Sequence, residues 1–441
     1  MSALPITRSE ARKPFDRLAS YPKLALAVSG GPDSLALMHL AADWCAARHE
    51  GPELHVLTVD HGLRESSRDE ALMVGRLAAA LGLRHTILTW ERQGEACSAL
   101  QSRARTARYD LMAGFCHAHD IPALVTAHTL DDQAETVLMR LKRGSGLDGL
   151  AAIPLTGSWS GIAVERPLLD VTKARLIATL EARGIDFVSD PSNADTRFER
   201  ARVRGSAGAL AALGLTPEAL ALSARRLRRA REALDHAAAS FLAHASEVSA
   251  AGYATVDPGA LLGAPEEIAL RALARLIATI GGGEEPLRLA KLEALLGSLA
   301  VNPGKAHTLG RCRIGPLKGR LGIFREMRAN ALPAILLEPG MQALWDNRFR
   351  VELGSEEREK VTVRALGELG LCHLRDRFHA LATMPPLASR TLPACFRGES
   401  LVGLPDLASL TGFSHPPLAC RARFIGALSR GRSGTAAPWS R

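Results

Sequence analysis

The 441-residue chain contains no G-x-x-x-x-G-K-S/T segment, which rules out the phosphate loop whose lysine grips a transferring γ-phosphate. It also has no C-x-x-C. The seven cysteines, Cys45, Cys97, Cys116, Cys312, Cys372, Cys395 and Cys420, are odd in number and widely spaced. That usage excludes a disulfide framework and a tetrahedral zinc site, and it fits reduced thiols in a cytosol. The opening MSALPITRSEARKPFDRL lacks an apolar h-region, so no secretory signal peptide is expected. No apolar run approaches the roughly 18 residues of a membrane span without a charge or breaker. A cytoplasmic location with no membrane partner is therefore the expectation. No fixed-period repeat is found.

What is present is length, apolar content and positive charge. Two or three domains are expected at this length, and 47% apolar residues suffice for sizeable cores. Lys and Arg number 55 against 46 Asp and Glu, a net charge of +9. Such a balance favours polyanionic partners, nucleic acid above all, although a genome that prefers arginine gives the same excess.

The first two hundred residues alternate strand and helix signals. Strands are expected at 23–28, 53–60, 84–90 and 122–128. Helices are expected from Ser34 to about Arg48, from a capping box of Ser67 with Glu70, from a second box of Ser98 with Gln101 towards His117, and over 130–142. Short apolar strands alternating with helices predict a parallel sheet covered on both faces. After about residue 205 the text becomes Ala/Leu/Arg-rich with helical period, with Thr216 as a cap before Pro217. A further helix over 266–280 ends at GGGEEP. The expected class is α/β: a parallel-sheet, Rossmann-like N-terminal domain (1–205), a helical domain (206–300), a small mixed α/β C-terminal domain (301–425) and a disordered tail (426–441).

The most informative stretch is Ser29-Gly30-Gly31-Pro32-Asp33-Ser34, between an apolar strand and a helix. Glycines let a backbone come close to a bulky anion. The first helix amides point outward and, with the helix dipole, form an anion site. Ser29 and Ser34 add hydroxyl donors. Asp33 would repel a bare phosphate, so it either holds Mg²⁺ or orients the loop. Together these residues suit a pyrophosphate cradle. A second glycine motif, GSGLDG at Gly144–Gly149, follows a helix rather than a strand. It is read as a loop and not as a dinucleotide site.

Other segments converge on the same sheet edge. Asp60 and His61 end the second strand, beside the cradle. Arg105 and Arg108 lie one turn apart on a helix, suited to phosphate or to a solvated basic face. In Thr126–Thr136, Asp131 or Asp132 shares a helix face with Glu135, which calls for a cation between them, Mg²⁺ or a substrate ammonium, unless the face is merely solvated. His128 begins that segment. Asp190–Arg204 supplies Asn193, Asp195, Arg197, Arg200, Arg202 and Arg204, either a contact for phosphate or RNA backbone or a basic linker.

The S-G-G-x-D-S segment resembles the PP-loop of the ATP pyrophosphatase superfamily. With D-H-G-L-R, A-R-x-x-R-Y, A-H-x-x-D-D-Q-x-E-T, RPLLDVTKARLIATLEARGI and D-P-S-N-x-D-x-x-F-x-R in the same order, residues 20–210 resemble the tRNA(Ile)-lysidine synthetase family. Two positions depart from it: the family usually has histidine where Thr129 stands and asparagine where Ala201 stands. The resemblance implies a PP-loop enzyme using ATP and Mg²⁺, with tRNA(Ile) bearing a CAU anticodon and free L-lysine as partners. It implies that the wobble cytidine is adenylated on O2 and that lysine then displaces AMP at carbon 2. Ser29–Ser34, Asp60, His61, Arg105 and His128 would bind nucleotide, with Asp33 on the metal. Arg108 would stabilise charge on the α-phosphate, and Asp132 and Glu135 would hold the lysine ammonium. Arg200, Arg202 and Arg204 would meet tRNA or phosphate. The helical domain, with Arg225, Arg226, Arg228 and Arg229, would touch tRNA, some of the four covering apolar helix surface instead. Oligomeric state stays open, a homodimer included. The rivals are a tRNA thiolase, disfavoured by the missing C-x-x-C, a small-molecule adenylating ligase, and a binding protein without catalysis.

Overall fold

The computed structural model describes residues 3–60, 62, 66–90, 100–188, 199–283, 286–327, 332–375, 379–407 and 418–426. His61, Cys97, Ser98, Asn193, Asp195, Arg197 and the tail from 427 lie outside the described residues. Internal contacts divide the chain into two compact units, residues 1–229 and the part from Ala230 onward.

The first unit runs α1 (Arg8–Asp16), β1 (Lys23–Ala27), α2 (Pro32–Ala46), β2 (Glu53–Asp60), α3 (Ser66–Ala80), β3 (Arg84–Thr89), α4 (Leu100–Ala118), β4 (Ala123–Val125), α5 (Leu130–Lys142), α6 (Leu147–Leu150), β5 (Thr156–Trp159), β6 (Ile162–Glu165), α7 (Lys173–Glu181), α8 (Glu199–Gly205) and α9 (Ala207–Ala212). The division between the units falls within α10 (Pro217–Ala245). One sheet has the order β3-β2-β1-β4-β6-β5. All its pairings are parallel except that of β5 with β6. Period-two alternation assigns β1 to two cores. Leu24 and Leu26 pack with Phe15, Leu37 and Trp44, while Ala25 joins Leu57, Tyr109 and Met112 on the other face. With both faces covered, the central strands read as continuous apolar runs. After β3 the chain returns past β1 to β4, so the strand order reverses between β1 and β4. Ligands of open α/β sheets bind at such a point, beyond the carboxyl ends of the strands.

Two local expectations change. Ser67 does not cap α3, which already includes Ser66; its hydroxyl donates to Asp60 Oδ1 instead. Within GSGLDG, residues 147–150 form the single helical turn α6 and not open loop.

The second unit begins with β7 (Ser246–Val248), β8 (Ala254–Val256), α11 (Pro258–Gly263), α12 (Glu266–Gly281), α13 (Leu289–Val301), β9 (His307–Leu309), β10 (Cys312–Leu317) and β11 (Arg320–Arg325). Its first sheet, β7-β8-β11-β10-β9, shares one core with α12 and α13 through Leu273, Ile277, Leu292, Ile314 and Ile323. Then follow β12 (Ile335–Leu337), β13 (Gln342–Trp345), β14 (Phe349–Leu353), β15 (Val361–Ala365), α14 (Gly367–Leu374), α15 (His379–Thr383), α16 (Pro386–Ser389), β16 (Pro393–Arg397), β17 (Ser400–Gly403), β18 (Asp406–Leu407) and β19 (Cys420–Phe424). They form two four-stranded sheets, β12-β15-β16-β17 and β13-β14-β19-β18, around Trp345, Phe349 and Val363. Asp346 is buried between two guanidinium groups, bidentate from Arg325 at 3.0 Å and from Arg348 Nε at 2.6 Å. Among the described residues no helix is long and apolar enough to cross a membrane.

Candidate active site

A cavity of about 600 Å³ opens at the strand-order reversal of the first unit. Its lining includes Ser29, Gly31, Pro32, Asp33, Ser34, Arg108, His128, Lys173 and Arg204. The loop from β1 to α2 owes its shape to two features. Gly30 has φ +85°, a left-handed conformation that favours glycine. Ser34 accepts the amide of Ser29 at 3.1 Å and donates to the Gly31 carbonyl at 3.0 Å. The Ser34 proton is thus spent on bracing the loop, whereas the Ser29 hydroxyl remains near the opening, 3.4 Å from Ser34 Oγ. Gly31 is the N-cap of α2 and has no bulk of its own to fill the space, and Pro32 suits the first helical position.

Asp33 occupies the first turn of α2, with Lys173 Nζ 3.4 Å from its Oδ2. Its Oδ1 is buried without a partner. Burial pushes its carboxyl up from the ordinary 3.8 to about 6; Lys173 opposes the rise and Asp132 adds to it. An unpartnered carboxylate oxygen at the mouth of an anion loop fits a hard divalent cation that takes its other ligands from water and phosphate. Among the described residues no group of three or more His, Cys, Asp or Glu is gathered to hold a metal alone.

Lys173 is the residue that sequence reading passed over. It opens α7, where a cation opposes the helix dipole. That conflict, visible in the sequence as a lysine directly after the Thr172 cap, signals a nearby anion. Asp131 Oδ2 accepts the Lys173 amide at 2.7 Å and so fixes α7 against the start of α5.

The Thr129–Thr136 segment divides its labour. Thr129 is the N-cap of α5 and forms a reciprocal box with Asp132, whose Oδ2 accepts the Thr129 amide at 2.9 Å. Gln133 clamps the backbone of Ile153 through two 2.8 Å bonds. Glu135 is buried, and burial raises its carboxyl above the ordinary range while Arg204 on α8 pulls it down through a close bidentate contact. His128 bonds Thr126 Oγ1 through Nδ1 at 2.9 Å. Burial holds it down to about 3, so it is a neutral imidazole at neutral pH.

The arginines separate as well. Arg108 is half-buried, burial lowering its affinity for the proton, and lies 5.6 Å from the Tyr109 ring centre. Arg105 is exposed, 5.2 Å from the same ring, and does not line the cavity. Asp60, Asp132 and Glu135 also lie outside the lining. Asp60 takes the Gly62 amide at 3.0 Å and the Ser67 hydroxyl, so its carboxylate is already engaged by the chain itself. Arg200 is half-buried on α8 and bears electrostatically on Arg108, His128 and Glu135, whereas Arg202 is exposed. On α10, Arg225, Arg226 and Arg229 are exposed. Arg228 instead turns inward and donates to the Ile153 carbonyl at 3.1 Å.

Residues 6–208 match the family model described as a PP-loop domain. The tRNA(Ile)-lysidine synthase of Bradyrhizobium sp. strain BTAi1 is 48% identical over 326 residues, 72% of this chain and 90% of that protein. That of Ruegeria pomeroyi is 40% identical over 396 residues, 89% of this chain and 90% of its own length. Among solved structures, the tRNA thiolase NcsA from Methanococcus maripaludis is similar with a TM-score of 0.43 at 18% identity, covering 50% of this chain and 77% of that one.

Proposed function

The chain belongs to the tRNA(Ile)-lysidine synthase family, and on that premise we propose that it joins free L-lysine to carbon 2 of the wobble cytidine in a CAU-anticodon tRNA(Ile), with ATP consumed to AMP and pyrophosphate in the cytoplasm. The observation that supports this reading is one cavity lined by both the Gly-Gly loop and Arg108, with the Glu135 carboxylate of α5 reached through Arg204. Bound ATP supplies the adenylyl group that converts cytidine O2 into a leaving group, and Mg²⁺ supplies countercharge.

The chain's own residues perform the rest. Ser29, Gly30, Gly31 and the first turn of α2 bind the diphosphate, and Asp33 with its free oxygen holds the metal. Lys173, on the same carboxylate, adds a second positive charge beside it. Arg108 offers a desolvated guanidinium to the α-phosphate as charge develops there, with Arg105 behind it. His128 is a neutral donor or acceptor beside the nucleotide. Asp132 and Glu135 hold the lysine ammonium, and one of them takes a proton as the amine becomes nucleophilic. Arg200, Arg202 and the exposed arginines of α10 meet RNA phosphates.

The deciding assay incubates the protein with ATP, labelled lysine and a CAU-anticodon tRNA(Ile) transcript, with tRNA(Met) as control. Label in the wobble nucleoside of the first RNA alone is the expected result. No label, or ADP in place of AMP, overturns the reading.

A further inference from the structure

The carboxylate read as an amine site is already engaged. Arg204 Nε reaches Glu135 Oε1 at 2.5 Å and Nη2 reaches Oε2 at 3.3 Å, the two-pronged grip by which guanidinium recognises carboxylate. The Glu135 side chain is only 8% exposed, whereas that of Arg204 is 36% exposed and lines the cavity with Ser29, Asp33, Ser34 and Arg108. The guanidinium thus stands between a buried acid on α5 and the anion loop of α2. Its helix is fastened independently. Glu199, at the other end of α8, pairs with Lys142 at 3.4 Å and with Arg143 at 2.5 Å near the end of α5. The Arg204 side chain can therefore leave Glu135 while α8 stays on α5. The charges bearing on the pair are Asp132 from α5, Arg200 from α8 and Asp33 from α2.

We propose that Arg204 is an internal stand-in for the substrate amine: it fills Glu135 until an ammonium displaces it, and the released guanidinium turns to the anion held on the Ser29–Ser34 loop. The inference rests on Glu135 being the amine site, as read above. A single carboxylate cannot hold a bidentate guanidinium and an ammonium side by side without the two cations opposing each other. A guanidinium taken off its carboxylate needs a new anion, and nucleotide phosphates on the loop are one that its planar fork suits. Each ligand therefore prepares the place of the other. By linkage the gain in affinity is the same in both directions.

The test is calorimetric titration of the full-length protein with L-lysine, alone and with saturating α,β-methylene-ATP and Mg²⁺. In the natural protein the nucleotide analogue should tighten lysine binding at least about fivefold, and lysine should tighten the analogue by the same factor. Arg204→Gln should bind lysine more tightly than the natural protein when no nucleotide is present, and the analogue should then change that affinity by less than about twofold. A residue that only supported the fold would weaken lysine binding when removed. Should Arg204→Gln not fold, Arg204→Lys, which keeps the charge but loses the fork, should retain part of the coupling. Equal lysine affinity with and without the analogue in the natural protein overturns the exchange. So does full coupling in either variant, or weakened lysine binding by folded Arg204→Gln. Absence of lysine binding to every form, with the analogue still bound, overturns the amine-site reading and the exchange with it, and is distinguishable from both.

Discussion

Asp33 shows how one side chain is kept ready at a cost to the fold. Its carboxyl is raised by burial from 3.8 to about 6, with one oxygen unpartnered. The folded state therefore prefers the protonated acid. This group's contribution to stability is fully present below about pH 3.8 and is lost as pH rises through about 6. Without metal and nucleotide, Asp33→Asn should match the natural protein near pH 4 and exceed it above pH 6 by at most about 3 kcal/mol, read from denaturant midpoints. A difference independent of pH would show that the acid is not the group titrating. Asp132 makes a complementary case. Asp132→Asn keeps an oxygen for the Thr129 amide, so α5 should stay capped, but it removes the charge. The half-saturating lysine concentration should rise about tenfold or more, the equivalent of one charge-assisted hydrogen bond, while nucleotide affinity is retained. Unchanged lysine dependence would remove Asp132 from amine binding.

At the scale of elements, α5 explains the departure at Thr129. Threonine is a good N-cap, and here it takes part in a reciprocal box with Asp132. Thr129→Ala should cost about 1 kcal/mol, seen as a lower urea midpoint at constant slope. Thr129→Ser should behave like the natural protein. The same element shows what sequence could and could not disclose. The strand–loop–helix around Gly30 and Gly31, the β2 strand and the bounds of α5 were legible because strong periodicity met clear caps and glycines. The β5–β6 hairpin was not, although Ser160 and Gly161, with φ +46° and +84°, form the two-residue turn that an S-G pair between short apolar runs permits. Its strands are only four residues each, too short for alternation to stand out. Within the site, the acid pattern of 131–135 was readable, but the sorting of acids was not. Asp131 goes to the start of α7 and Glu135 to Arg204, contacts of 42 and 69 residues' separation that no local pattern encodes.

At the scale of the whole chain, Lys and Arg outnumber Asp and Glu by nine. Arg225, Arg226 and Arg229 stand on one exposed stretch of α10 while Arg228 is drawn inward. Affinity for tRNA should fall steeply with salt. Replacing the three exposed arginines by glutamine should lower the slope of log affinity against log salt by about two to three, and Arg228→Gln alone should leave it nearly unchanged. A flat salt response would separate the charge from RNA binding. Tyr109 lines the cavity, has the guanidinium groups of Arg105 and Arg108 over its ring at 5.2 and 5.6 Å from the centre, and lies 5.0 Å from Trp159, whose indole is pinned to Asp110 at 2.8 Å. An anion that draws Arg108 away alters the surroundings of a fixed fluorophore one ring removed, so nucleotide arrival should register as a change in intrinsic emission, and the protein can be followed through its reaction without a label.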